Sequence, residues 1–440
     1  MPDITPVAIT LGLLASCGGS SANAMPDAPS SVDASDAPVD AGTSPFRIAL
    51  SISPFSKTVL AAGVQFTDGT TTATTLTDLE RLYVAHGANE LYVRVATEQA
   101  NPAGSASDHS LANAVATAAL ARSLGLPLDP ELGLWADYGD ITCQPPPDFS
   151  GYPGITVPGP WNTLTIDQMV PVLRAYGAYM AHTFLDAGTH VSIWDLGNEI
   201  DFGTAGVSPK GTCAAWVAPD GVDPAIGMTS VADLLTMTEA DRESWLGTHI
   251  WPREAKLLAA VADGVRSVDP NARFATHVSG VSAQNAALGV AFYRAMDAGG
   301  FHADEIGFSW YPSSTAAAGR VAAFRATMDA VRATFARPIF IAELAYPAGP
   351  IGGGAYDSWV NALPPYPVSP AGQAQFLTDL SSYAVASGIS GIRYWAPDVV
   401  VPGWGGLAIF SISGATATAN PAIDAIVHGI ATPNAAAFHD

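Results

Sequence analysis

Ile193-Trp194-Asp195-Leu196-Gly197-Asn198-Glu199-Ile200 and Ile339-Phe340-Ile341-Ala342-Glu343-Leu344-Ala345-Tyr346-Pro347 are the stretches on which the reading of this chain turns. Each is an apolar run ending in a carboxylate, as expected of a buried strand that delivers an acid at its C-terminal end. Outward from these two strands, at Val191 to Leu196 and Ile339 to Ala342, six further runs have strand character: Arg47 to Ile52, Glu90 to Val95, Leu132 to Trp135, Ala272 to His277, Glu305 to Phe308 and Gly391 to Trp395. Helical patterns lie between them, at Thr77 to His86, Leu111 to Leu124, Ile166 to Ala187, Pro252 to Val268, Ala322 to Phe335 and Gly372 to Ser387.

Strands alternating with helices imply an α/β fold of parallel strands with crossover connections. Eight such units predict a closed (β/α)8 barrel of the TIM type, one catalytic domain over 45–440. The alternative, an open doubly wound sheet, normally carries a Gly-rich phosphate turn after its first strand, and Phe46 to Phe55 has none. Two irregular stretches, Asp140 to Thr163 after the third strand and Phe202 to Thr248 after the fourth, belong on the C-terminal face, where barrel enzymes build their active sites. No internal repeat and no separate C-terminal module is visible.

Ahead of the domain, Val7 to Leu14 is too short to span a bilayer and reads as an export signal over residues 1–17. Leu14-Ala15-Ser16-Cys17 resembles the lipobox of bacterial lipoproteins, which implies lipidation at Cys17, although Asp3 stands where positive charge is usual. Residues 18–44 are Ser, Ala, Pro and Asp, a composition expected to form a disordered tether. The expected location is extracellular or an outer-membrane lipoprotein of a bacterium, touching the membrane only through the lipid. In an exported protein Cys143 and Cys213 suit a disulfide, with two buried thiols as the alternative.

With 18 Lys+Arg against 40 Asp+Glu and a net charge of −22, the chain offers no basic surface for phosphates, so nucleic acid is not an expected partner. The same field repels polyanionic polysaccharides and leaves neutral ones unaffected. No H-E-x-x-H, C-x-x-C or G-x-S-x-G is present. No cofactor is expected; a structural calcium in an acidic loop stays open, and no spacing identifies one. The chain is expected to act as a monomer.

Cleaving a glycosidic bond takes two carboxyl groups, one to protonate the leaving oxygen and one to attack the anomeric carbon or activate water. Glu199 and Glu343, each just beyond a strand, meet that need. Four stretches in order resemble glycoside hydrolase family 53, the arabinogalactan endo-β-1,4-galactanases of clan A: Gly197-Asn198-Glu199-Ile200, Ile306-Gly307-Phe308-Ser309-Trp310-Tyr311-Pro312, Glu343-Leu344-Ala345-Tyr346-Pro347, and Arg393-Tyr394-Trp395-Ala396-Pro397 with Gly403-Trp404 beyond.

The resemblance implies retention through a glycosyl-enzyme, with Glu343 as nucleophile, Glu199 as acid/base, and the two carboxyls about 5–5.5 Å apart. It further implies that Asn198 binds the sugar 2-hydroxyl and that His277 stands near the acid/base. Arg94, ending the second strand, is placed to hold Glu343 ionised, Tyr311 to orient it, and Trp395 to offer a ring face to the sugar. The substrate so implied is β-1,4-galactan in plant arabinogalactan. The chain departs from the family at Asp137, expected to contact substrate where a subsite His is usual, at Ala396, where an acid is common, and in the longer stretch after Glu199. These departures leave open another neutral β-glycan such as mannan, xylan or β-glucan. A binding-only surface lipoprotein is a third reading, opposed by the intact glutamate pair. Asp304 and Glu305 are read as entering the sixth strand from the opposite end, away from catalysis.

Overall fold

A computed structural model describes residues 46–439. The expected signal, Cys17 and the 18–44 linker lie outside the described residues. Among these, eight parallel strands form one sheet: β1 (Arg47–Ala49), β2 (Leu91–Val95), β3 (Leu128–Leu132), β4 (Trp194–Leu196), β5 (Phe274–Val278), β6 (Glu305–Trp310), β7 (Ile339–Leu344) and β8 (Ile389–Tyr394). Neighbours in sequence pair from β2 to β8, and β8 pairs with β1. At the remaining seam Asn89, just ahead of β2, stands in for a paired strand: its backbone N–H donates to Ile48 O at 3.1 Å, its Oδ1 accepts from Ile48 N at 2.8 Å, and its Nδ2 donates to Phe46 O at 2.9 Å. The sheet thereby closes into the (β/α)8 barrel that the alternation predicts.

Helices follow the strands and cover them. Leu111–Leu124 starts on a Ser110 cap and ends at Gly125, whose φ of 69° suits a residue without a Cβ. Ile166–Leu185 opens with a capping box of Thr165 and Gln168 and packs on Trp251–Arg266. A side chain on Gly177 or Gly264 would overlap the carbonyl of Val261 or Arg174 on the facing helix, so these two glycines set the approach.

Two local expectations need correction. The third strand is Leu128–Leu132 rather than Leu132 to Trp135, because Asp129 and Glu131, which look like surface residues, are fully buried and paired with arginines. Phe202 to Thr248 is not all irregular: it holds Val231–Thr236 and Glu239–His249, capped by Ser230 and Thr238. After β8 the chain makes a hairpin, Phe410–Ser413 with Thr416–Ala419, that joins Gln65–Thr67 and Thr72–Ala73 in a second sheet. A further helix, Ala286–Gly299, follows β5.

Barrel interiors are usually filled by layers of branched apolar side chains. Here Arg94, Asp129, Glu131, Asp195, His277 and Arg393, from β2, β3, β4, β5 and β8, are each at most 2 % exposed. At the N-terminal end Arg47 meets Glu90 at 3.2 Å, and also Glu305, so the acid expected to lie away from catalysis does so.

Candidate active site

Both glutamates stand where the backbone departs from regular strand. After β4 the chain turns through Gly197 at φ 82° and Glu199 at φ 49°. A left-handed non-glycine costs free energy and persists only where its surroundings enforce it, as functional sites do. On β7 the pairing with β6 skips from Phe308↔Ile341 to Ser309↔Glu343, a bulge that re-aims the strand immediately before Glu343.

Glu343 receives Arg94 Nη2 on Oε1 and the Tyr311 hydroxyl on Oε2, the latter at 2.7 Å. Arg94 is itself held by Glu131 at 2.6 Å through Nε, and its guanidinium lies 4.0 Å from the centre of the Trp395 ring. One face of Trp395 is thus taken by a cation.

Asn198 Oδ1 accepts from Arg94 Nη2 at 2.9 Å and from His277 Nε2 at 3.0 Å, which fixes the amide with its NH2 away from them. That NH2 donates to Gly139 O at 2.7 Å. His277 Nδ1 meets Asp195 Oδ2 at 3.0 Å, so both ring nitrogens face acceptors, the arrangement of an imidazolium. Burial opposes that charge, but Asp195 and then Glu131 outweigh it and lift the imidazole to about 9.

Glu199 is only 8 % exposed. Burial first, then the negative charges of Glu343 and Asp140, push its carboxyl well above the usual range, which keeps it protonated. Its Oε2 lies 3.5 Å from Ile141 N. Ile141 belongs to a loop that the Cys143–Cys213 disulfide ties to the segment after β4. Gln144 Nε2 donates to Asn198 O at 2.7 Å, and Asp140 accepts from Thr142 N and Oγ1. The insertion after β3 therefore braces Asn198 and Glu199 directly, and the segment after β4 is tied to that insertion by the disulfide.

The structure thus brings Arg94, Asn198, Glu199, His277, Tyr311, Glu343 and Trp395 together. Asp137 stands apart, exposed on the loop after β3 beside Glu98, whose carboxyl is raised to about 7 by burial, Asp137 and Asp148. Sequence reasoning passed over Glu131, Asp195 and Arg393 beneath the site, and an aromatic group beside it. In that group the Tyr311 ring lies 5.0 Å from Trp359, while Tyr356 lies 4.8 Å from Trp359 and 5.2 Å from Trp404. Glu131, His277 and Glu343 offer ligand atoms within 4.8 Å of one another. Arg94 binds both glutamates and His277 is itself cationic, so a metal ion there would face two positive groups; the cluster reads as part of the carboxylate site.

The family model described as glycosyl hydrolase family 53 matches residues 58–422. No curated protein matches the chain. Among solved structures, fungal β-1,4-galactanases give a TM-score of 0.60 at 19 % identity, over 86 % of this chain and 98 % of theirs. A GH53 catalytic domain of Ignisphaera aggregans gives 0.63 at 18 % identity, over 87 % and 95 %. At these identities the likeness speaks for the fold.

Proposed function

The chain belongs to glycosyl hydrolase family 53, whose model spans most of its length, and from that membership we propose an extracellular, endo-acting, retaining β-1,4-galactanase of plant arabinogalactan. That it is a glycoside hydrolase follows from the family; the sugar, the stereochemistry and the location are our reading. The observation carrying the mechanism is the contrast between two carboxyls: Glu199 is kept neutral, while Glu343 accepts from a guanidinium and a phenol. Such a pair divides acid and nucleophile between its members.

In the first step a Glu343 oxygen bonds to the anomeric carbon, the glycosidic C–O bond breaks, and Glu199 gives its proton to the leaving oxygen. In the second, Glu199 takes a proton from water as the water oxygen displaces Glu343, and the configuration is retained. Asn198 has one N–H left for the sugar 2-hydroxyl once Gly139 is served. Trp395 supports the sugar with the ring face that Arg94 leaves free. The net charge of −22 favours a neutral chain. Export is supported by the lipobox-like Leu14-Ala15-Ser16-Cys17, and a disulfide suits an oxidising compartment.

A second reading, another neutral β-glycan, is favoured by Ala396 in place of an acid and by the long segment after Glu199. Reducing-end release from linear β-1,4-galactan, beside mannan, xylan and β-glucan, by the purified protein and by Glu343→Gln separates the two. Release from galactan that the variant abolishes supports the first; release from another glycan alone replaces the galactanase reading and keeps the pair.

A further inference from the structure

A continuous series of buried charges runs from the closed end of the barrel to the catalytic carboxylates. Arg47 reaches Asp129 at 3.6 Å, and Asp129 binds Arg393 at 2.5 Å. Arg393 then meets Asp195 at 3.2 Å and Glu131 at 3.4 Å, with its guanidinium 3.8 Å from the centre of the Tyr92 ring. Glu131 holds Arg94 and also accepts from Tyr92 OH at 2.5 Å, and Asp195 holds His277. Among the described residues Arg393 makes no hydrogen bond to Glu199 or Glu343.

We propose that Arg393 is a positioning residue for glycoside cleavage: it anchors Glu131 and Asp195, which in turn aim Arg94 and His277 at Glu343 and Asn198. A charge count supports this. Four buried anions, Asp129, Glu131, Asp195 and Glu343, stand with the cations Arg94, His277 and Arg393, and Arg47 is shared between Asp129, Glu90 and Glu305. Loss of Arg393 leaves one more buried negative charge without a cation, and uptake of a proton is its natural compensation.

Asp195 is the sensitive member. Its Oδ2 serves both His277 and Arg393, and its Oδ1 has no partner among the described residues. Burial works against its charge, yet His277 and Arg393 hold it below the usual carboxylate range. Glu131 is raised by burial and restrained by Arg94, His277 and Arg393. Loss of Arg393 lets both take protons at higher pH; protonated Asp195 no longer holds an imidazolium, and protonated Glu131 no longer grips Arg94. The Asn198 amide and the Glu343 rotamer then lose their anchors. Groups that also face this layer are Tyr92, Asp129, Arg47, Glu199, Tyr311, Tyr138 and Tyr356.

A purely structural role predicts something else. Removing one partner of a buried ion pair destabilises the fold whether or not the residue serves catalysis, so loss of stability is not the signature. The test is the pH profile of kcat/KM for the full-length protein and for Arg393→Met and Arg393→Lys, on whichever neutral glycan it cleaves fastest. The methionine variant is expected to show its acid limb moved up by about one pH unit, with kcat reduced at least ~10-fold at the wild-type optimum and KM little changed. Lysine, keeping the charge, is expected to bring the limb back to the wild-type position. Arg393→Gln replaces methionine if that variant does not fold, with the same shift expected.

A neutral variant whose profile superimposes on wild type after scaling overturns the proposal, as does a lysine variant shifted as far as methionine. The inference rests on Glu199 and Glu343 as the catalytic pair. Activity in Glu343→Gln would refute that pair by itself, whereas an inactive Glu343→Gln beside an unshifted Arg393→Met profile refutes only the role of Arg393.

Discussion

Replacing Asp140 by Asn should move the alkaline limit of activity toward acid while leaving the acid limit in place. Glu199 must carry a proton to act as an acid, and four influences keep it there: burial, Glu343, Asp140 and Asp201, in that order. Burial and Glu343 are inseparable from catalysis, but Asp140 is partly exposed and replaceable. Asparagine keeps an acceptor for Thr142 N and Oγ1, so the loop that brings Ile141 to Glu199 stays in shape. What is removed is one negative charge, screened by water on its open side, worth roughly half to one pH unit. That corresponds to about 0.7–1.4 kcal/mol between the two forms of Glu199. The sign follows from linkage: with less negative charge nearby Glu199 loses its proton at lower pH, so the alkaline limb of kcat/KM descends earlier. At one unit above the wild-type limb the variant should be roughly 3–10-fold slower than wild type, and on the acid side of the optimum equal to it. A folded variant whose alkaline limb coincides with wild type would refute the account of how Glu199 is held protonated.

Tyr311→Phe removes one charge-assisted hydrogen bond to Glu343, worth about 1.5–3 kcal/mol, so kcat/KM should fall roughly 10–150-fold; a loss under threefold would deny Tyr311 its orienting role. The imidazole of His277 is raised to about 9, so its share of stability is complete below its ordinary value near 6.5 and is lost as pH rises through 9. Urea titrations should show unfolding free energy dropping by up to about 3 kcal/mol across that window, and a His277→Gln protein lacking the drop would bear this out while one that keeps it would not. Cys143→Ser with Cys213→Ser opens a 70-residue loop, which the chain-entropy model values at about 4 kcal/mol. The urea midpoint should fall accordingly, and unchanged stability together with unchanged kcat would show that the loop stands without its tie.

Much of the barrel was legible because its strands are apolar and its helices carry recognisable caps. The third strand escaped because Leu-Asp-Pro-Glu-Leu has neither an apolar run nor alternation of the usual sense; its acids point inward to arginines supplied by β2 and β8, 37 and 264 residues away. No local pattern encodes such a pairing. The same holds for Arg393, visible in the family-like stretch but without a role until its three anions are seen around it. Glu199 and Glu343 were readable since each ends an apolar strand. The aromatic group of Tyr356 and Trp359 sits on a loop without periodicity, after Gly352, Gly353 and Gly354, all at positive φ. Asp137 came from the family-like stretch after the third strand and not from a strand end; it lies five residues beyond Leu132, at an exposed loop position.

The Asn89 seam has a mechanical meaning. A sheet closed by a side chain resists shear less than one closed by a full ladder, because three hydrogen bonds replace a run of them. A pull on the chain ahead of Phe46 would load β1 first, and β1 is three residues long, gripped on one edge by β8 and on the other by Asn89 and the Arg47–Glu90 ion pair. Arg94, Asn198, Glu199 and Glu343 all lie on or just after later strands, so the first strand to feel force carries none of them. If the protein works on a leash, the leash is fastened to a plank that carries none of the catalytic side chains.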